Sequence, residues 1–518
     1  MRRAISMFLA CLLAAMCGVT GAGAADTQEG VQSMEYITYK EHGAVGDGVA
    51  DDFGAIVAAH DAANAAGLPV KADPGATYYI GPGHKTAEIQ TDTDWGDAKF
   101  IIDDAIVGVA DRGYNIFRVT SKLAAVPVPG VTTLRKNQAK LDWPLGQAAV
   151  VVAADNTTLR YIRKGANQND GTAQTDMFIV DEAGNIDARA PIVWDYDNIS
   201  SITAYPMDAK TLTVRGGAFT TIANQAPSEY TYYGRGIQVS RSNVVVDGLS
   251  HAVTGELDYG APYGGFISIS GCANVTVQNC LLSGHKTYRT IGSAGTEVSM
   301  GTYDINVNSA ANVTFLHCKQ LNDMMDTSLW GIMGSNFCKN LVYDGCELSR
   351  FDAHMGTVNA TVKNSVVRMV SVTGFGVFLL ENTKVTGSNT FISLRPDYGS
   401  FWDGEIAIRG CEFVTAGSNP ALISADNDGT HDFGYPCMMP QKVTIDGLVI
   451  DDRDRPFFNL GPYILRYINP NFGWRNPYPY AKTELVTLKN VTVKSGRCLF
   501  KSQYWYAFML WCVKVKRV

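Results

Sequence analysis

Charge is scarce in this sequence: Asp, Glu, Lys and Arg make up 18% of its 518 residues, and the balance is −7. No face rich in Lys and Arg stands out, which excludes a nucleic-acid partner, because phosphate recognition needs concentrated positive charge. After Val19 no stretch is long and apolar enough to span a bilayer, so no membrane anchor is expected. None of the 11 cysteines forms a Cys-x-x-Cys pair, which removes the commonest zinc and redox spacing. Asn-Gly and Asp-Gly pairs rarely join neighbouring strands, so the closely spaced hairpins of a β-sandwich are missing.

What is present begins with an export signal. Arg2 and Arg3 precede an apolar run from Met7 to Val19, then Ala22-Gly23-Ala24, a small-x-small cleavage site. Residues 1–24 are expected to be removed, leaving Ala25 first and the protein secreted, extracellular or periplasmic. Met16 is too large to precede a lipidated cysteine, which argues against lipidation of Cys17. Loss of Cys11 and Cys17 leaves nine cysteines, an odd number, so at least one thiol is unpaired.

The chain is too long for one ordinary core, and a repeat explains how it grows. Segments starting at Asn243, Asn274, Asn312, Asn340, Asn359, Glu405, Lys442 and Leu485 each read as a short alternating strand ending in a Gly, Asn or His corner. The corners fall at Gly248, Asn279, His317, Gly345, Asn364, Gly410, Gly447 and Asn490, with an extra coil expected around Phe378 to Thr383. Short strands recurring with variable loops describe a solenoid, in which each coil buries its inner face on the next. Cys280, Cys318, Cys346 and Cys411 each follow a corner and should stack as an internal ladder. Cys272 and Cys338 form an equivalent pair, while disulfides Cys272–Cys280 and Cys338–Cys346 stay open as alternatives.

Ahead of the coils, Asp51 and Asp52 precede Phe53, Ile56 and Val57 at helical spacing, and Gly67 and Pro69 end the helix. Gly43, Ala44, Gly46, Asp47, Gly48, Asp51, Asp52, Ala55 and Ile56 resemble the Gly-Ala-x-Gly-Asp-Gly-x-x-Asp-Asp-x-x-Ala-Ile signature of the pectate lyase-like superfamily. That resemblance implies an all-β, right-handed parallel β-helix with a short N-terminal helix capping its open end. The aspartates are then capping residues rather than catalysts. The organisation expected is a cap and first coils over 25–127, a β-rich insert over 128–195, and the β-helix proper over 196–518. Gln503 to Val518 lacks the coil pattern, and the C-terminus reads as truncated.

Strands Phe266–Ser270, Tyr303–Val307, Trp330–Gly334 and Phe351–Met355 hold the same place in their repeats and should line a groove. If Phe351, Ala353 and Met355 face the core, alternation turns Arg350, Asp352 and His354 outward. An arginine, a carboxylate and an imidazole in line can hold an acidic sugar and move protons; a surface salt-bridge ladder is the bland reading. Asp323 and Asp326 lead into Trp330 one coil earlier, and Asp304 is outward if Tyr303 and Ile305 are inward. Asp326, Asp352 and His354 are thus the catalytic candidates, with Arg350, Asp304, Asp323 and Trp330 on the substrate.

Carboxylates on neighbouring coils suit glycoside hydrolysis. The layout from about 240 to 420 is similar to polygalacturonase-type hydrolases, although their Asn-Thr-Asp, Gly-His-Gly and Arg-Ile-Lys motifs are absent here. The expectation is an enzyme, a glycoside hydrolase acting as a monomer on a polysaccharide or oligosaccharide without cofactor. Two alternatives stay open: a polysaccharide lyase, or a non-catalytic glycan-binding surface protein. A lyase could use calcium, for which the Asp426–Asp432 loop offers oxygen ligands that are also ordinary turn chemistry.

Overall fold

The computed structural model describes residues 36–163, 170–228, 232–256, 261–292, 295–427, 429–454, 461–466, 477–502 and 513–518. The export segment 1–24 lies outside them, as do Asp428 and residues 503–512.

Parallel pairing dominates. Val244–Asp247, Ala273–Gln278, Ala311–Leu316 and Lys339–Asp344 stack coil on coil in register, so Val246, Val277, Phe315 and Tyr343 fall in one inward column. The long strands Glu347–Lys363, Val366–Glu381, Trp402–Thr415, Lys442–Asp451 and Leu485–Val493 continue the ladder. Lys514–Arg517 adds one further parallel strand. The chain forms the right-handed parallel β-helix expected of it, with one continuous apolar core running along its axis.

The corners show why residue type betrays the coil. All eight expected corners take a left-handed backbone, from Gly248 (φ 70°) and Asn279 (φ 54°) to His317 (φ 53°) and Asn490 (φ 53°). Glycine and asparagine tolerate that conformation where a branched side chain clashes. Asn382 (φ 46°) marks the extra coil. A second corner column starts the strands, where Asn312 Nδ2 donates to Asn274 Oδ1 at 2.9 Å and Asn340 Nδ2 to Asn312 Oδ1 at 2.8 Å. Asn312→Val should therefore cost about 2–4 kcal/mol, from about 1–2 for the left-handed backbone and about 0.5–1 for each of the two lost bonds. Asn312→Gly should cost only the bonds, so urea midpoints of the two variants must differ in that order.

Cys280, Cys318 and Cys346 stack as free buried thiols, with the Cys318 Sγ in contact with both neighbours. Neither alternative disulfide forms, since Cys272 and Cys338 are free as well. At the N-terminal end, a helix Phe53–Ala66 covers the first coils and stops at Gly67 (φ 69°). Asp52 is buried and accepts the backbone N–H groups of Val45 and Gly46 at 2.6 and 3.1 Å, while Asp51 accepts that of Phe53 at 3.0 Å. Both aspartates hold the cap's backbone.

Between the first coils and Leu212 lies an antiparallel sheet of Thr172–Val180, Ala149–Arg160, Ser201–Pro206 and Val126–Pro127. It has its own core around Val151, Phe178, Ile192 and Tyr196. Its other face lays Val150 and Met177 on Ala273 and Ala311 of the solenoid, where small residues let the sheets approach. A buried ion pair, Lys339 Nζ to Asp176 Oδ1 at 2.7 Å, fixes the insert to the coils.

Candidate active site

Strands Gly264–Ser270, Tyr303–Asn308 and Met333–Asn336 run in register, and Asn336 pairs with Met355 of the next coil. Over them opens a cleft of about 430 Å³ whose walls include Arg163, Tyr232, Tyr303, Asn336, His354 and Tyr398. The strand surface is lowered by Gly334, where a β-carbon would lie 2.8 Å from the Tyr303 ring. Tyr303 and Tyr232 lie nearly parallel, 6.4 Å apart, and offer flat faces to a sugar ring.

Phe351, Ala353 and Met355 are buried in the core, as alternation requires, so Arg350, Asp352 and His354 leave the opposite side of the strand. There the three part company. His354 reaches the cleft. Asp352 is only 1% exposed: Arg350 Nε lies 3.0 Å from its Oδ2, and Arg395 Nη1 lies 3.1–3.2 Å from both its oxygens. Arg395 also forks onto Asp397 at 3.1–3.2 Å, and Arg163 Nη2 pairs with Asp397 in turn. Three guanidiniums against two carboxylates leave this chain one positive charge in excess, beside the cleft.

Electrostatics fix the protonation states. Burial would raise the Asp352 carboxyl, but Arg395 and Arg350 outweigh it and hold it below the ordinary range. Asp397 is likewise held well below that range, because Arg395 and Arg163 overcome its burial. His354 is pushed down to about 3 by burial and then by Arg395, so its ring is neutral. Asn336 Oδ1, 2.8 Å from His354 Nδ1, can only accept, so Nδ1 carries the hydrogen and Nε2 keeps a lone pair. Facing Nε2 are Arg163 Nη2 at 3.4 Å and the Tyr398 hydroxyl at 3.5 Å. Burial raises the Tyr398 phenol, so it stays protonated. The arrangement can pair with an anion, accept one proton and donate another.

The other expected residues lie elsewhere. Trp330 leaves the groove ladder, because Leu329–Gly331 pairs antiparallel with His285–Lys286; its ring lies 4.3 Å under the Arg350 guanidinium. Arg350 borders a separate depression with Trp330, Thr327 and Arg368 rather than the His354 cleft. Asp326 is exposed on a turn, where its Oδ1 accepts the Ser328 N–H at 2.8 Å; Asp323 does the same for Met325 at 2.9 Å. Neither is among the hydrogen-bond partners of the Asp352 carboxylate, which are Arg350 and Arg395. Asp304, expected on the groove face, is instead 0% exposed: a loop closes over it and His251 Nδ1 and His285 Nε2 contact its Oδ1 at 2.6 and 2.9 Å. Burial would lower His285, but Asp304 and Glu256 overcome it and raise that ring to about 10. In the Asp426–Asp432 loop, Asn427 and Asp432 cap backbone N–H groups of Gly429 and Gly434 at 2.7 Å, which is turn chemistry.

Arg163, Arg395, Asp397 and Tyr398 were not visible as site residues. Arg163 comes from the insert, and Arg395 to Tyr398 from a turn ending at Gly399 (φ 77°), so neither follows the coil rhythm.

No family model matches the sequence, and no curated protein matches it. In structure the chain is similar to the tailspike protein gp49 of Pseudomonas phage LKA1, at 14% identity over 92% of this chain and 84% of that one, with a TM-score of 0.53. The tailspike gp61 of Pseudomonas phage phi297 is similar at 12% identity over 88% and 80%, with a TM-score of 0.48. The A-module of an Azotobacter vinelandii mannuronan C-5 epimerase is similar at 11% identity over 90% and 99%, with a TM-score of 0.35. At 14% identity the likeness to gp49 is one of fold.

Proposed function

We propose that the chain is an exported, polysaccharide-active β-helix protein whose cleft takes a uronate-containing glycan and cleaves it by β-elimination. The observation that supports this reading is a neutral imidazole nitrogen, His354 Nε2, set between the Arg163 guanidinium and the protonated Tyr398 hydroxyl. The C5 proton of a uronate is removable only when its carboxylate is neutralised, and Arg163 stands where that charge would sit. His354 takes the C5 proton, the C4–O4 bond breaks as a C4–C5 double bond forms, and Tyr398 returns a proton to O4. Tyr232 and Tyr303 support the sugar faces. Hydrolysis would instead need one carboxyl kept protonated and a second beside it. Asp352 and Asp397 are both held ionised by arginines, which weighs against that reading.

A panel of uronate and neutral polysaccharides tests this directly. A rise in ultraviolet absorbance from the unsaturated product, surviving a calcium chelator such as EGTA, is the expected result. New reducing ends without that absorbance would make the protein a hydrolase, and binding without turnover a glycan-binding protein; either outcome ends the lyase reading.

The pH dependence is specific. With His354 near 3 in the free protein, kcat/KM should show no acid limb near the ordinary histidine value of about 6.5. A bound carboxylate offsets the Arg163 and Arg395 fields, so the His354 value rises in the complex, and kcat should fall at a higher pH than kcat/KM does. Coincident acid limbs in the two profiles would remove His354 as the base.

A further inference from the structure

Beside the groove strands, His251, His285 and Asp304 come together from three separate segments, the solenoid strands Ser250–Thr254 and Tyr303–Asn308 and the covering segment His285–Lys286, and all three side chains are buried. One oxygen, Asp304 Oδ1, faces His251 Nδ1 at 2.6 Å and His285 Nε2 at 2.9 Å. The remaining ring nitrogens are also engaged. His251 Nε2 lies 2.9 Å from Thr221 Oγ1, and His285 Nδ1 lies 3.1 Å from Glu256 Oε1. Asp304 Oδ2 accepts the Ser283 N–H at 2.6 Å, and His251 stacks on Phe266 with centroids 3.7 Å apart.

We infer that His251, His285 and Asp304 form a binding site for a first-row transition cation of the zinc class. Two imidazoles and one carboxylate suit borderline metals, whereas calcium and magnesium prefer oxygen alone. The outer partners are those a metal site uses: Glu256 and Thr221 can accept the far N–H groups, so that loss of the near hydrogens would leave two lone pairs converging beside Asp304 Oδ1. Zinc ligands at about 2.0–2.1 Å from a tetrahedral centre stand roughly 3.3 Å apart. The present separations need to open by about half an ångström, within reach of a carboxylate rotation. Binding displaces the hydrogens that now lie between the rings and Asp304, and the cation takes their place. Three segments would then be cross-linked next to Tyr303, a wall of the cleft.

The test uses the full chain, untagged, with accessible thiols alkylated, because Cys498 is exposed and would compete. After dialysis against chelator, Zn²⁺ is titrated calorimetrically and Co²⁺ is followed by its visible absorption. The expected result is one equivalent bound, with a tetrahedral Co²⁺ spectrum and a raised melting temperature. His285→Gln and Asp304→Asn should each weaken binding by more than about 100-fold, and Glu256→Gln by about 10–100-fold. His354→Gln, in the cleft, should leave binding unchanged. No binding by the folded wild-type chain overturns the site outright, as does binding unaltered in folded His285→Gln, Asp304→Asn and Glu256→Gln. Should the two ligand variants not fold, Glu256→Gln, whose side chain reaches the surface, decides alone.

Discussion

His354→Gln should lower kcat by about 10²–10⁴-fold, the range for loss of a positioned base, with KM changed little. Glutamine can keep a hydrogen bond to Asn336, but it has no nitrogen lone pair to accept a proton. The substitution removes a half-buried ring whose two nitrogens already have partners, so stability should change far less than turnover does. KM is insulated because the anion is held by Arg163, not by the base. Measuring both parameters on the active substrate separates the roles. A variant that loses affinity at full kcat would make His354 a binding residue, and one with wild-type kcat would remove it from the chemistry.

The solenoid was readable because its rules are local. A left-handed corner admits few residue types, so Gly248, Asn279 and His317 announce themselves, and the buried thiols that follow Asn279, His317, Gly345 and Gly410 mark the same inward slot. Alternation likewise assigned Phe351, Ala353 and Met355 to the core. What period two cannot tell is whether an outward side chain meets solvent or a loop. Asp352 leaves the strand outward but is covered by Arg395, which arrives from 43 residues further on. Asp304 is covered by the His285 segment in the same manner. Asp326 stayed in view because it is exposed on its turn, and exposure made it less suited to chemistry. Arg163 was beyond reach for a further reason: the insert that carries it contacts His354 across 191 residues, and no repeat relates the two.

Asp352→Ala should destabilise the protein by about 3–5 kcal/mol, the usual cost of removing one partner from a buried ion pair. Two buried guanidiniums, Arg350 and Arg395, would lose the carboxylate between them, and Arg395 would keep only Asp397. Loss of turnover would then follow from a collapsed cleft wall, since Asp397 positions Arg163 and Tyr398 packs against both. Asp352→Asn retains the shape but not the charge, so it should fall between wild type and alanine. The sign with pH is fixed as well. Asp352 titrates below its unfolded value, so its contribution is complete above the ordinary aspartate range of about 4 and is lost as pH falls through the lower folded value. The gap between wild type and Asp352→Ala in urea should therefore be constant from neutral pH down to about 5 and narrow only in stronger acid. Asp326→Ala is the control: an exposed turn carboxylate should leave both the urea midpoint and turnover close to wild type. If Asp352→Ala unfolds at the wild-type urea midpoint, the carboxylate is not the hub of the buried chain. If Asp326→Ala instead abolishes turnover, the reacting centre lies at the Trp330 depression and not at His354.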